Sequence, residues 1–514
     1  MIARDFITAP VVVVGGGIAG LSTALSTRGG CVLVANEPVG GGASKHAQGG
    51  IAAALDRDDS SALHAADTLR VAAGLADPEI AALVTGAAPD RIDWLRGLGV
   101  DFDLARSGEP ALGREAGHSR HRIVHAGGDR TGAAVMCAMR HTAMQRPDIR
   151  ALEGFELVDL VACGNRATGV LLEAGDGLRL AVLAPHVVLA TGGIGACFDQ
   201  STNPGTSRGA GLAAAARRGV RLADLEFVQF HPTALAVESD PLPLLTEALR
   251  GAGAVLLDDS GDRFMRAIHR DAELAPRDVV ARRVAALQAA GQAVWLDASG
   301  IADLATRFPA ACAIAASAGF DARSQRLPVA TAAHFHMGGI ATDAEGRSSL
   351  AGLWACGEVA ASGLHGGNRL ASNSLLEGLV FGGRIARAIQ AADSPPLRGP
   401  LRIPRRRIEG EPDAARIASL RTLMGRSLGP LRDGTAMAQA VRCLDAWKAG
   451  SRAEDDHLLV ARLMLRAALE RRESRGAHYR LDCPEPARGK PARSFVEPPP
   501  NAVESLSVAS SRVA

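Results

Sequence analysis

The chain has 514 residues, 47% hydrophobic and 22% charged, too long for one ordinary core and too apolar for wholesale disorder. Lys and Arg number 57 against 55 Asp and Glu, and the resulting +2 excludes the global field of a nucleic-acid binder or a polybasic membrane protein. No apolar run reaches the roughly 18 residues of a membrane span, and the polar lead before Val11 lacks a secretory pattern, so the expectation is a cytoplasmic protein.

Val11–Val14 reads as a buried parallel strand. It runs into Gly15-Gly16-Gly17-Ile18-Ala19-Gly20, a GxGxxG pattern, with helix expected over 21–27 and a second strand at Cys31–Ala35. In that setting Gly15 permits the tight turn and Gly17 lets a pyrophosphate approach the backbone. Gly20 lets the helix pack on the strand, and the helix N-terminus faces the anion. The ribose ligand that follows the second strand is Asn36 or Glu37. Two further strand-then-glycine turns occur far downstream. Residues 187–190 lead into Thr191-Gly192-Gly193, and 352–356 lead into Gly357-Glu358. Together they predict one nucleotide-binding domain interrupted by an insertion at about 225–338. Pro395, Pro396, Pro400 and Pro404 with Arg405, Arg406 and Arg407 read as a linker. Helical periodicity follows over 414–426, 436–448 and 456–472, with almost no strand signal. The segment from Glu485 is Pro- and Ser-rich and is expected to be loose. The eight cysteines are far apart with no Cys-x-x-Cys pair, which predicts buried reduced thiols and no metal site.

These residues carry a family resemblance across nearly the whole chain. In order they read GGGIAGLS (15–22), AQGG (47–50), FHPT (230–233), TEALRG (246–251) and PRDVVAR (276–282). AAHFHMGGI (332–340), GEVAASGLHGGNRLASNSLLEGLVFG (357–382) and ESRGAHYRLDCP (473–484) complete the set. The sequence resembles the flavoprotein family of succinate dehydrogenase, fumarate reductase and L-aspartate oxidase. ASNSLLE, TEALRG and Arg114-Glu115-Ala116-Gly117-His118-Ser119 resemble the L-aspartate oxidase branch.

The resemblance implies an α/β fold: a Rossmann-like FAD-binding domain (1–224 and 339–395) interrupted by an α+β capping domain (225–338). A helical C-terminal domain (396–484) and a loose tail (485–514) would follow. It implies flavin contacts from Gly15, Gly17, Ile18, Ala19, Gly20, Asn36, Ser44, Gln48, Gly49 and Gly50. Leu157, Val158, Thr191, Gly192, Glu358, Ser374 and Leu375 extend that set. The membrane-complex relatives carry a flavin-linking histidine at the position of Ala43, with Ser44 beside it here and His46 out of register, so FAD is expected to be non-covalent. The family's Thr-Gly-Asp-Gly turn reads Arg208-Gly209-Ala210-Gly211, which removes one acidic flavin contact.

For the substrate, a dicarboxylate needs two anchors. Arg369 offers a permanently charged planar fork in a Gly-rich loop, and His231, His334 and Thr246 can donate hydrogen bonds. The resemblance implies that these four hold the carboxylates. Alone, each histidine would read as a satisfied core residue. Arg277 alone reads as a surface residue opening a helix after Pro276; the resemblance places it beside the proton that leaves or arrives. Glu115 alone reads as a surface ion-pair member beside Arg114, Arg120 and Arg122; the resemblance sets it near the substrate ammonium. The implied reaction is FAD-dependent oxidation of L-aspartate to iminoaspartate. Electrons would pass to O₂, giving H₂O₂, or to fumarate, and the product would go to quinolinate synthase for NAD synthesis. The alternative is a flavoprotein subunit of a succinate dehydrogenase or fumarate reductase complex, against which Ala43 and Glu115 argue. A flavin-binding protein without catalysis is a third reading, motivated by Ala210.

Overall fold

Continuous apolar runs make the central sheet. The computed structural model describes residues 6–392 and 410–499, so the Pro395–Arg407 linker expectation lies outside them. In chain order β1 (Val11–Val14) leads to α1 (Ile18–Ser26), β2 (Cys31–Ala35), β3 (Ile149–Glu153), β4 (His186–Leu189) and α2 (Ala210–Arg217). The inserted segment carries β5 (Val228–Leu235), α3 (Arg277–Ala289), α4 (Pro309–Ser317) and β6 (Leu327–His336). The chain then returns through β7 (Leu353–Ala355) and α5 (Asn373–Ala391). It ends with α6 (Ala414–Leu428), α7 (Gly434–Ala446), α8 (Arg452–Glu470) and β8 (Phe495–Val496).

The sheet has order β7-β4-β1-β2-β3, and every pair is parallel. Alternate side chains enter opposite cores. Val12, Val14, Val32 and Leu189 face one layer; Val11, Val13, Leu33 and Val188 face the other. Burial on both faces is why these strands read as unbroken apolar runs. Helix α5 covers one face. Helix α2 covers the other together with Leu420, Met424, Met437 and Met464 of α6 to α8, so the C-terminal helices share the sheet's core. No helix among the described residues is long and apolar enough to cross a membrane.

The insertion has its own core, from Leu235 and Leu249 to Phe308 and Val329. Its antiparallel β5 and β6 carry register shifts at Gln229/Phe230 and between His231 and Ala234. Such bulges re-aim side chains. Helix α1 starts at Ile18, three residues before expectation, because a Cβ on Gly20 would lie 1.8 Å from the Gly15 carbonyl oxygen and only glycine lets the first turn close there.

The loose-tail expectation from residue 485 is corrected for its described part. Phe495 and Val496 pair with Ala223 and Leu222. Arg493 Nε lies 2.6 Å from Asp224 Oδ2, and Ser494 Oγ donates to Glu226 at 2.8 Å. Ion pairs and a two-residue ladder fasten a segment that has no apolar periodicity to announce it.

Candidate active site

A cavity of about 660 Å³ opens at the carboxyl ends of β1, β2 and β4 and runs to His334 and Arg369. Gly15, Gly17, Ile18, Ala19, Asn36, Ser44 and Gln48 line it, as do Leu157, Thr191, Gly192, Glu358, Ser374 and Leu375. Gly20, Gly49, Gly50 and Val158 do not. Gly20 packs against Gly15, and a Cβ on Gly50 would meet the Val124 carbonyl oxygen at 2.2 Å. Gly49 stands against Glu115, where a Cβ would lie 3.1 Å from Oε1. The Val158 side chain is turned into a small core with Val161, Leu171 and Leu183, because strand alternation sends it away from the cavity.

Three helix N-termini open on this cavity: Ile18 and Ala19 of α1, Ala210 of α2, and Ser374 and Leu375 of α5. Their first-turn N–H groups, of which Ile18 N is taken by Ser44, and their positive dipole ends suit an anion. Gly192, at φ +75°, faces open space where a Cβ would intrude. Ser44 Oγ accepts from Ile18 N at 3.2 Å, bracing the glycine turn. The carboxylate of Glu37 is engaged by Gly42 N at 3.1 Å and Thr206 Oγ1 at 3.0 Å, which leaves the adjoining Asn36 as the freer group for a ribose. Burial pushes the Glu358 carboxyl up to about 7.

At the far end the expected polar residues converge. Arg369 Nε donates to Gln229 Oε1 at 3.2 Å and Nη1 to Ser374 Oγ at 2.5 Å, while its guanidinium lies 4.5 Å over the Phe335 ring. Burial pulls its pKa down to about 9. The rings of His231 and His334 are 5.1 Å apart. Burial first, and Arg277 second, hold both imidazoles well below their ordinary pKa, so both are neutral at pH 7. Thr233 N donates to His231 Nδ1 at 3.2 Å, and a backbone N–H can only donate. His231 therefore carries its proton on Nε2. Thr246 caps the short helix Glu247–Gly251, its Oγ1 accepting from Ala248 N at 3.3 Å, so its hydroxyl proton remains free to donate.

Two expectations drawn from residues alone are corrected. Arg277 is only 8% exposed and is no surface helix-start residue. Its Nε lies 2.5 Å from Glu247 Oε2 and its Nη1 2.9 Å from Gln229 Oε1. Glu115 is 3% exposed, so it is no surface ion pair. Its Oε2 accepts from Ser372 Oγ at 2.6 Å, and burial, with Glu247 next, raises its pKa. Ser372 holds φ +61°, a strained setting for a non-glycine residue. Glu247 also takes Arg250 Nη2 and Ala116 N, each at 3.0 Å. Burial would raise its pKa, but Arg277 and Arg250 outweigh that and keep it ionised. Sequence reasoning missed Gln229, Glu247 and Ser372, each of which neighbours a residue it singled out.

The FAD binding domain family matches residues 10–375, and the fumarate reductase flavoprotein C-terminal family matches 452–494. The L-aspartate oxidase of Mesorhizobium japonicum is 47% identical over 92% of this chain and 91% of its own. That of Caulobacter vibrioides is 44% identical over 92% and 93%. The FrdA chain of E. coli quinol fumarate reductase superposes with a TM-score of 0.86 at 25% identity, over 99% of this chain and 98% of that one. The glycine turn, three converging helix N-termini and the elongated cavity fit FAD. With this fit and nearly half its residues shared over nine-tenths of its length, the chain belongs to the L-aspartate oxidase family of FAD-binding flavoproteins.

Proposed function

We propose that the protein oxidises L-aspartate to iminoaspartate, with O₂ (giving H₂O₂) or fumarate as terminal acceptor, as the first step of NAD synthesis towards quinolinate. The observation that carries this reading is that Arg369 and His334, which line the far end of the cavity, stand beside a second buried guanidinium (Arg277), a second neutral imidazole (His231) and a buried Glu115. Bound FAD supplies the two-electron acceptor that no side chain offers.

The residues do the rest. Arg369 and the Nε2–H of His231, with His334 and Thr246, hold the two carboxylates. Glu115 faces the ammonium. Arg277, oriented by Glu247, stands beside the proton that arrives at carbon when fumarate is reduced, and on the path of the proton released when L-aspartate is oxidised. The insertion acts as a lid. Gln48 ties its Thr246 N at 3.1 Å and its Leu244 O at 2.6 Å to the flavin side, which keeps water out. The location is cytoplasmic, with direct transfer of the unstable imine to quinolinate synthase.

Purified holoenzyme tests the reading. H₂O₂ release with L-aspartate and none with succinate is the expected result; turnover of succinate alone would return the chain to the reductase-subunit reading.

A further inference from the structure

We propose that Gln229 is a positioning residue that sets Arg277 and Arg369 against each other, and that its neutrality is required for a dianionic substrate to bind. The inference rests on the proposed function and deepens it. Gln229 lies wholly buried on β5, two residues before His231. Its one carbonyl oxygen accepts from Arg277 Nη1 at 2.9 Å and from Arg369 Nε at 3.2 Å. Its amide nitrogen donates to Asn368 Oδ1 and to the Arg369 carbonyl, each at 2.9 Å. The opposite amide orientation would aim N–H at N–H on both arginines, so the network fixes which end is which.

The two guanidiniums come from different bodies. Arg277 opens α3 of the insertion, and Arg369 sits in the loop before α5. Glu247 holds Arg277 from within the insertion, and Ser374, in the first turn of α5, holds Arg369. Neither bond sets one arginine relative to the other. The shared oxygen of Gln229 does. A second tie runs beside it, with Asn368 Nδ2 donating to Asp278 Oδ1 at 2.8 Å, next to Arg277.

A carboxylate at this place would bind both guanidiniums more strongly than an amide. The charge balance explains the amide. Arg250, Arg277 and Arg369 face the ionised Glu247, while Glu115 is pushed towards its neutral form. That leaves guanidiniums in excess of ionised carboxylates for a substrate with two carboxylates, even with Glu358, raised to about 7, partly ionised beside Arg369. A glutamate at 229 would cancel part of that excess.

The test uses holoenzyme carrying Gln229→Glu or Gln229→Met. Succinate affinity is read from perturbation of flavin absorbance, beside kcat and KM for L-aspartate and FAD content. Gln229→Glu keeps shape and FAD, and its succinate affinity falls by about 10- to 100-fold, the span of one hydrogen bond to a charged group. Gln229→Met keeps neutrality, so its affinity falls much less while kcat drops by about tenfold or more. A residue that only packs would give the reverse: the isosteric Gln229→Glu near normal and Gln229→Met worse in both readouts. That result, or unchanged succinate affinity in Gln229→Glu, overturns the proposal. If Gln229→Met does not fold, Gln229→Glu alone decides. Wild-type enzyme without L-aspartate turnover sinks the proposed function and leaves the succinate comparison intact.

Discussion

The Glu247 carboxylate lies 2.5 Å from Arg277 Nε, with both side chains buried. A guanidinium fixed on one edge by a carboxylate and on another by an amide oxygen has no freedom to swing. That is what a proton-transferring arginine needs, because its free pKa makes it a poor acid without exact placement. Arg277→Lys keeps one charge but cannot keep both bonds. Turnover of L-aspartate is expected to fall by about 10²–10⁴-fold, a typical acid–base contribution, with FAD content unchanged. Steady-state kinetics on flavin-matched samples check this, and near-normal turnover would leave Arg277 a purely structural role.

The flavin is expected to be released by acid. Ala43, which lines the cavity at the position of the relatives' linking histidine, has no nucleophile to offer. His46 lines the same cavity, so the opposite outcome is chemically defined. Acid precipitation should leave the yellow colour in the supernatant. Colour in the pellet, traced to the peptide bearing His46, would reverse the expectation.

Asp129 ties the insertion to the nucleotide-binding domain. Its two oxygens accept from Ala310 N at 2.7 Å and Ala311 N at 2.9 Å, in the first turn of α4, where Phe308 provides no side-chain cap. The nucleotide-binding domain thus caps a helix of the lid. Losing such a cap costs about 1–2 kcal/mol. Asp129→Ala is expected to raise KM for L-aspartate and to speed proteolysis within 236–326, with FAD content unchanged. Equal cleavage rates and equal KM would show that other contacts alone hold the lid.

The parallel strands and the glycine turn were legible in the sequence because burial on both faces leaves an unbroken Val-rich run. The C-terminal helices were placed, but α7 and α8 begin two and four residues before expectation. Their polar first turns hide the start from an apolar count, although the caps Asp433 and Ser451 mark it. Arg277, His231, His334 and Arg369 were legible through motif wording alone. Their burial was not, because an arginine after a proline looks the same on a surface as in a core. Gln229 was illegible for a related reason: a lone polar residue in a strand reveals nothing of the two arginines that reach it from 48 and 140 residues away. The strap around Arg493 depends on long-range ion pairs, which leave no periodic trace.

Acid should destabilise the fold before carboxylates of ordinary pKa titrate. Burial lowers His64 to about 3 and His118, His336 and His457 to about 4. Between those values and the ordinary 6.5 the unfolded chain binds more protons than the folded one, so stability is full above about pH 6.5 and is lost as pH falls. Each ring costs at most about 1.4 kcal/mol per pH unit below that point. Glu358, raised to about 7, and Asp224, raised to about 6, act in the opposite sense, with stability lost as pH rises. Four rings against these two carboxyls give a net loss. Thermal scans at pH 7.5, about 6 and about 5 should show a falling Tm; a flat profile would mean that the rings are charged in the folded state.

Specificity for L-aspartate over succinate is expected to rest on Glu115. The two substrates share both carboxylates, so Arg369, His231, His334 and Thr246 cannot separate them; only a group facing the ammonium can. Burial and the neighbouring Glu247 raise the Glu115 pKa, while Ser372 Oγ holds the carboxyl in place. An arriving ammonium favours its ionised form, so L-aspartate binding should tighten as pH rises through the raised value. Glu115→Gln keeps the shape and removes the charge. A hydrogen bond to a charged group contributes about 1.5–3 kcal/mol, or roughly one to two decades in kcat/KM. L-aspartate oxidation should weaken by about that much and lose its pH slope. Fumarate reduction involves no ammonium and should hold steady, because without one Glu115 is already pushed towards its neutral form. Parallel kcat/KM profiles for the two reactions, with and without the substitution, decide the matter. An equal fall in both would make Glu115 a support for the Ser372 turn, and the choice of L-aspartate would then lie with another group in the pocket.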